Sequence, residues 1–152
     1  MEYNIRVIKT TSENEDFIKL VGVLDQSLWE RYSELTSDYW GNNILEVNPN
    51  VMVLYLDNKA VACGCFKNKG KDTLEIKRMF VLPEFRGRGF AQSILQELEL
   101  WGVESGFSFS VLETLDRQTE AIGMYRKCGY TVIDNYEPYL GLKNSICMRK
   151  QI

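Results

Sequence analysis

Hydrophobic and polar residues follow one another along the chain with a period that changes from segment to segment. Apolar residues at every second position, or in short unbroken runs, are typical of strands, and apolar residues three or four positions apart are typical of helices. The strand pattern predicts strands at 3–9, 51–56, 60–67, 73–82, 107–112, 131–133 and 146–150. The helical pattern predicts helices that begin near 15, 90 and 118, with a short continuation of the first through Leu35.

Residues that begin or end an element support this division. Ser12 and Glu15 have the spacing of a capping box and predict the start of the first helix. Pro83 cannot donate to a strand ladder and predicts the end of the strand before it. Gly129 predicts the C-terminal stop of the last helix. The order of elements predicts an α/β chain with a mixed sheet and helices on both of its faces.

Composition supports one domain, spanning residues 1–152. The chain is 45% hydrophobic and 12% aromatic, which is enough to build one core at this length. Its formal net charge of -3 argues against nucleic acid or an anionic membrane as partner, because both require a positive surface. The charged N-terminal segment lacks the apolar region of a signal peptide, so we expect a cytoplasmic protein.

The absence of histidine excludes several classes of enzyme. Neither a Ser-His nor a Cys-His nucleophile pair is available, and a zinc site would need all four cysteines. These cysteines lie in apolar surroundings at irregular spacings, so we expect buried thiols in a reducing compartment and no metal site.

The segment RGRGFA, residues 86–91, lies where a predicted strand meets a predicted helix. The first N–H groups of a helix have no partner within it, and its N-terminus attracts anions. Gly87 and Gly89 would let the backbone approach an anion, and Arg86 and Arg88 would add positive charge. The segment therefore indicates an anion-binding turn, or else a tight turn with two solvated arginines.

Three segments resemble the GNAT superfamily of acyl-CoA-dependent N-acetyltransferases. Arg86-x-x-Gly89-x-Ala91, after the strand EIKRMFV, resembles the superfamily signature. Leu112-Glu113-Thr114 is similar to the later strand of that family, and Ala121 to Tyr130 is similar to its A-x-x-x-Y-x-x-x-G-[FY] helix. The resemblance implies a mostly antiparallel central sheet of about six to seven strands.

The resemblance also implies acetyl-CoA as co-substrate. In the family, N–H groups of the turn that corresponds to residues 86–91, which include Phe90, hold the pyrophosphate of coenzyme A. The preceding strand, here Met79, Phe80 and Val81, pairs with the pantetheine arm. Gln118 stands where the family often has a cofactor-contacting asparagine, and Tyr125 lies close to the thioester.

Two side chains are predicted to move protons. An amine must lose a proton before it attacks a thioester, and the departing thiolate gains from an acid. Glu75 corresponds to a glutamate that serves as base in some branches of the family, unless it pairs structurally with Lys77 or a nearby arginine. Tyr125 corresponds to the family's acid, although its spacing also suits a core tyrosine.

The acceptor site is less clearly marked. The resemblance places Glu113, and the segment between the first predicted helix and its short continuation with the loop that follows, near the acceptor. Four aromatic residues there could line the acceptor pocket or form an edge of the core: Trp29, Tyr32, Tyr39 and Trp40. The same two interpretations hold for Tyr136 and Tyr139, near the C-terminus.

Three functions fit this sequence. The first is transfer of an acetyl group to a primary amine of a small molecule, by direct attack and without a metal. The second is acetylation of a protein N-terminus or lysine. The third is a non-catalytic module that binds acyl-CoA. A homodimer is possible in each case.

Overall fold

The structure is a computed structural model that describes residues 4–32 and 47–152. Its strands are β1 (Ile5–Thr10), β2 (Val51–Leu56), β3 (Lys59–Gly70), β4 (Thr73–Val81), β5 (Phe109–Leu115), β6 (Thr131–Ile133) and β7 (Ser145–Gln151). Its α-helices are α1 (Glu15–Tyr32), α2 (Phe90–Glu104) and α3 (Thr119–Lys127), and a 3₁₀ turn occupies Pro83–Phe85.

Seven strands from the described part of the chain form one sheet in the order β1-β2-β3-β4-β5-β7-β6. The β1–β2, β2–β3, β5–β7 and β6–β7 pairs are antiparallel. Strands β4 and β5 are parallel, with Thr73–Glu75 opposite Phe109–Val111. The predicted mixed, mostly antiparallel sheet is confirmed. The strand bounds differ from the expected ones by a few residues. The largest differences are at the C-terminal end of β3 and at both ends of β5.

The chain divides into two compact units. The first unit comprises Met1–Phe66 and Arg78–Leu98, and the second comprises Lys67–Lys77 and Glu99–Ile152. Strands β3 and β4 and helix α2 each contribute residues to both units. One domain over residues 1–152 stays a prediction. No helix in the described part of the chain is long and apolar enough to cross a membrane.

The core of the first unit forms between α1 and the sheet. Phe17 of α1 and Val51, Val53 and Cys63 of β2 and β3 are all completely buried there. Each large apolar side chain that leaves water contributes about 1.5–3 kcal/mol. This burial holds α1 on one face of β2 and β3, with Phe80 of β4 in the same cluster.

Helix α1 begins differently from the expectation. Asn14, and not Ser12, caps it, because the Asn14 side-chain oxygen accepts a hydrogen bond from the Phe17 N–H at 2.9 Å. Ser12 Oγ instead accepts the Asn48 N–H at 2.7 Å, which fastens the segment before β2 to the start of α1. The expected continuation beyond Tyr32, including Leu35, lies outside the described residues.

Strand β4 breaks its own alternation. Regular alternation would place Glu75 and Met79 on one face, and this expectation is wrong. Leu74 packs against Gly102 of α2, and Met79 lies beside Ile94 and Leu98 of the same helix. The two contacts are five positions apart, so the period of two slips by one residue. The slip coincides with Arg78, whose φ of 58° is left-handed.

The cap of α1 yields a first prediction. Asn14→Ala removes the acceptor for the Phe17 N–H, so we expect the free energy of unfolding to fall by about 1 kcal/mol. Asn14→Asp keeps an acceptor oxygen and should stay near wild type. Urea unfolding measures both, and equal losses in the two variants would show that the cap is not the cause.

Candidate functional site

The anion turn, residues 86–91, connects the 3₁₀ turn after β4 to the start of α2. Gly87 has a φ of 80° and Gly89 a φ of 81°, both in the left-handed region that favours glycine. A Cβ atom at either position would meet no other atom within 4 Å. The φ angles therefore require glycine here, and the space in front of the backbone is open to a ligand.

Cations and an aromatic ring surround the anion turn. Arg86 Nε donates to the Val81 carbonyl at 3.0 Å, which ties this side chain to the end of β4. The Arg88 guanidinium and the Lys59 ammonium lie 5.4 and 5.2 Å from the centre of the Phe85 ring. Lys59 is a third cation near the two predicted arginines, and the sequence pattern did not single it out. The turn thus combines a helix N-terminus with three cations.

These residues fit a bound pyrophosphate. Phe90 is buried and anchors the first turn of α2, whereas Arg86 to Gly89 are exposed. The first N–H groups of α2 have no intrahelical acceptor, so they are available to an anion. Arg86 keeps the guanidinium nitrogens other than Nε for a ligand, because the fork carries five N–H donors. Met79 is half-buried, and Phe80 and Val81 are buried at the end of β4.

Glu75 is enclosed in the second unit. Only 1% of the residue is exposed. The Tyr136 hydroxyl donates to its Oε2 at 2.7 Å, and Lys67 Nζ lies 3.8 Å from its Oε1. A buried carboxylate needs such partners to remain charged. Glu75 is therefore a partnered carboxylate, held by Tyr136 and by Lys67.

Glu113 is half-buried on β5, two residues after Val111, the residue that pairs with Glu75. The Ser145 hydroxyl donates to its Oε2 at 2.6 Å. Burial, and then the nearby negative charge of Glu75, raise the pKa of Glu113 to about 7, against the opposing effects of Ser145 and Lys77. Glu75 and Glu113 form the carboxylate pair of the second unit. Glu113 is the member that titrates near neutral pH.

Tyr125 also belongs to the second unit, on α3, and is buried. Burial, followed by the neighbouring Cys128 and Glu113, raises its pKa above the ordinary value of a tyrosine. Tyr125 therefore keeps its proton at neutral pH, as an acid must. Its ring meets the ring of Tyr130 edge to face, with the centres 5.9 Å apart. The Tyr130 hydroxyl is held in turn by Glu99 at 2.8 Å.

The other predicted site residues are spread over both units. Trp29 is 47% exposed on α1, whereas Tyr32 is buried at the end of the same helix. Tyr39 and Trp40 lie outside the described residues. Gln118 precedes α3 and its side chain does not cap that helix. Tyr139 is buried and meets the ring of Tyr136 edge to face.

The side chains that hold the site residues in place were not predicted from the sequence. Ser145 and Tyr136 have no local signal for these roles, because their partners Glu113 and Glu75 are 32 and 61 residues away. Lys67 lies on β3, the strand directly before that of Glu75 in sequence, and its pairing depends on the register of the two strands. The buried Arg78 is also new: its Nη1 lies 2.6 Å from Asp25 Oδ1 of α1. All four cysteines are free thiols, and no group of potential metal ligands occurs among residues 4–32 and 47–152.

A family model decides the identity of the chain. Residues 13–130 match the model of the acetyltransferase (GNAT) family. The chain belongs to the acetyltransferase (GNAT) family. An uncharacterised N-acetyltransferase of Schizosaccharomyces pombe is 28% identical over 88% of this chain and 85% of its own length. The IAA acetyltransferase of Azospirillum brasilense is 26% identical over 98% of this chain and 99% of its own.

Solved structures share the fold. A Klebsiella pneumoniae protein assigned as an acyl-CoA N-acyltransferase is 25% identical, with a TM-score of 0.79 over 98% of this chain and 97% of that one. The PaiA N-acetyltransferase of Thermoplasma acidophilum, solved with coenzyme A, is 17% identical, with a TM-score of 0.75 over 98% and 99%. The chain is accordingly an acyltransferase, and acetyl-CoA, the acyl donor of its family, is its co-substrate.

The raised pKa of Glu113 yields a stability prediction. The folded chain holds this proton more tightly than the unfolded chain, whose glutamate titrates near 4.5. Glu113 therefore favours folding below pH 4.5, and this contribution is lost as the pH rises through about 7. Glu113→Gln keeps an acceptor for Ser145 without the charge. At pH 8 we therefore expect its free energy of unfolding to exceed that of wild type by on the order of 1–3 kcal/mol.

Urea unfolding between pH 4 and pH 8 checks this prediction. The advantage of Glu113→Gln should disappear below pH 4.5. Glu97→Gln, on the exposed face of α2, is the matched control and should follow wild type throughout. If the free energies of unfolding of wild type and Glu113→Gln change with pH in parallel, the ionised form of Glu113 is not unfavourable in the folded chain.

Proposed function

We propose that this enzyme transfers the acetyl group of acetyl-CoA to a primary amine of a small molecule, by direct attack within a ternary complex. The observation that carries the proposal is the carboxylate pair, in which Glu113 is half-buried and accepts the Ser145 hydroxyl, two residues after the sheet partner of Glu75. Burial raises the pKa of Glu113 to about 7. A carboxylate of this kind attracts a protonated amine and accepts its proton. The name of the relative from Azospirillum brasilense supports a small acceptor.

Glu113 is the better proton acceptor of the pair in this proposal. Glu75, the base expected from the sequence, is almost fully enclosed and its Oε2 already accepts the Tyr136 hydroxyl. Glu113 is more open and its pKa of about 7 suits a general base at neutral pH. Glu75 then acts as the charged partner that keeps Glu113 basic, and its role as the base stays a prediction from the sequence.

Tyr125 supplies a proton in this mechanism. A protonated amine first gives one proton to solvent through Glu113. The nitrogen of the neutral amine then forms a bond to the acyl carbon while the bond from that carbon to sulfur breaks, and a second amine proton passes to Glu113. The thiolate that leaves takes the proton of Tyr125, whose raised pKa keeps it protonated until then. Solvent returns a proton to Tyr125 and removes one from Glu113, which restores the enzyme.

The donor side rests on the anion turn. The N–H groups at the start of α2, with Arg86 and Arg88, would hold the pyrophosphate, and the backbone of β4 from Met79 to Val81 would pair with the pantetheine arm. Four further expectations stay predictions from the sequence. They are a contact of Gln118 with the cofactor, contacts of Trp29 and Tyr32 with the acceptor, a homodimer, and a cytoplasmic location.

Binding of the donor is the first test. Isothermal titration with acetyl-CoA should show micromolar affinity for wild type, and Gly89→Glu should weaken it by at least about 100-fold, through strain at positive φ and charge against the pyrophosphate. Gly106→Glu is the matched control. Gly106 also has a positive φ, of 97°, and open space, but it follows α2 instead of preceding it.

The control separates two explanations. Equal losses in Gly89→Glu and Gly106→Glu would assign the effect to backbone strain and remove the anion turn from the donor site. No binding by wild type at millimolar acetyl-CoA would overturn the proposed function as a whole. Binding without acetylation of any amine would support an acyl-CoA-binding module, and acetylation of peptides alone would support a protein acetyltransferase.

Kinetics of single variants test the proton transfers. With an amine found by screening for thiol release, Glu113→Gln should lower kcat about 100-fold, because a general base contributes 10²–10⁴-fold. Tyr125→Phe should lower kcat by about tenfold or more with little change in acetyl-CoA affinity. The wild-type kcat/KM should rise with pH through about 7. If the pH profile of kcat/KM is unchanged in Glu113→Gln and kcat falls in Glu75→Gln, the base is Glu75 and not Glu113.

A further inference from the structure

The connection between β6 and β7 is longer than the fold requires. The two strands are antiparallel neighbours, and β6 ends at Ile133 while β7 begins at Ser145. Antiparallel neighbours are usually joined by two to five residues. Here residues 134–144 form the connection, which we call the β6–β7 connection, and long connections of this kind often carry function.

Several interactions fasten the β6–β7 connection internally. Asn135 Nδ2 donates to the carbonyls of Tyr139 and Leu142, at 3.3 and 3.1 Å. The Tyr139 N–H donates to the Tyr136 carbonyl at 2.6 Å, and the rings of these two tyrosines meet edge to face. The backbone around Tyr136 is therefore held on both sides.

Lys69 of β3 fastens the same connection from outside. Its Nζ donates to the Glu137 carbonyl at 2.7 Å and lies 4.7 Å from the centre of the Tyr136 ring. The ammonium thus contacts both the ring and the residue that follows it. The Tyr136 side chain is consequently fixed in one direction, with its hydroxyl on Glu75.

Each end of the connection reaches one member of the carboxylate pair. Tyr136, near its start, donates to Glu75 at 2.7 Å, and Ser145, directly after its end, donates to Glu113 at 2.6 Å. A buried carboxylate and its hydrogen-bond donor hold each other in one orientation. One segment of chain therefore orients both carboxylates.

Glu113 has further charged or titratable neighbours on every element around it. Glu75 and Lys77 belong to β4, and Cys147 of β7 is its partner in the sheet. Tyr125 approaches from α3. Tyr125 and Cys147 are neutral at pH 7, because burial raises both of their pKa values. The charges that act on Glu113 at pH 7 are therefore those of Glu75 and Lys77.

We infer that Tyr136 and Ser145 are positioning residues for proton transfer, and that the β6–β7 connection, together with the first residue of β7, clamps both carboxylates in the orientation in which Glu113 accepts the proton. This inference rests on the proposed function. Tyr136 and Ser145 touch the carboxylates and not the reacting atoms. They act through Glu75 and Glu113 respectively.

The two clamps have opposite effects on Glu113. Without the Tyr136 hydroxyl, negative charge on Glu75 becomes less favourable, so Glu113 meets less repulsion and its pKa falls. Without the Ser145 hydroxyl, Glu113 loses a hydrogen bond that favours its charged form, so its pKa rises above about 7. General damage to the fold would not move the same group in opposite directions.

The experiment compares Tyr136→Phe and Ser145→Ala with wild type. The pH titration of the Glu113 carboxyl carbon is followed by NMR, with the signal assigned through Glu113→Gln. We expect the midpoint near 7 to fall in Tyr136→Phe and to rise in Ser145→Ala, each by on the order of 0.5–1 pH unit. The acid limb of kcat/KM should move in the same directions, while the Kd of acetyl-CoA stays within about twofold.

Tyr55→Phe is the matched control. It removes another tyrosine hydroxyl that donates to a carboxylate, that of Asp16 in the first unit, at 2.5 Å. Its Glu113 titration should coincide with wild type. Shifts in the same direction for Tyr136→Phe and Ser145→Ala, or no shift in either, would overturn the inference. If Tyr136→Phe does not fold, the Ser145→Ala titration alone decides, and a midpoint that does not rise overturns it.

The outcomes separate this inference from the proposed function. The NMR titration needs neither acetyl-CoA nor an acceptor, so it reports on the clamp even if acetyl-CoA fails to bind. Opposite NMR shifts with an acid limb that does not follow them would show that the clamp exists but has no part in catalysis, which also overturns the inference. Failure of wild type to bind acetyl-CoA would overturn the proposed function, and with it the catalytic role of Tyr136 and Ser145, while the NMR shifts would still show whether the two hydroxyls act on Glu113.

Discussion

Two buried charges on one strand constrain this molecule. Glu75 and Arg78 lie three residues apart on β4, and 1% and 9% of them are exposed. A buried charge is costly unless another group pairs with it. Arg78 is paired by Asp25 of α1 within the first unit, and Glu75 by Tyr136 and Lys67 within the second. Within the first unit Arg78 therefore holds α1 to β4, and within the second unit Glu75 holds the β6–β7 connection to β4.

The same strand carries a backbone irregularity at Arg78. Arg78 adopts a φ of 58°, which is unfavourable for a residue with a side chain, and its ion pair with Asp25 helps to hold it there. The slip in alternation directs Met79 toward α2 and Phe80 into the core with α1. Backbone strain and a buried charge thus occur together at Arg78, directly before the residues that are proposed to pair with the pantetheine arm.

In the proposed mechanism, function and stability oppose each other at Glu113. Burial and the charge of Glu75 make its ionised form unfavourable in the folded chain, which is the property that makes a carboxylate basic at neutral pH. Ser145 and Lys77 reduce this effect without removing it. The anion turn has a similar character, because Gly87 and Gly89 adopt backbone angles that other residues would occupy only with strain.

The sequence by itself determined the order and type of the elements, the anion turn and the family. Alternation, helical spacing and the signature around Arg86 and Gly89 depend on residues close together in the chain, so local reading recovers them. Tertiary structure alone decided that Asn14 caps α1, that β4 slips at Arg78, and that Tyr136 holds Glu75. Tyr136 and Glu75 are 61 residues apart, and no local pattern records which distant donor a buried carboxylate will meet once the chain has folded.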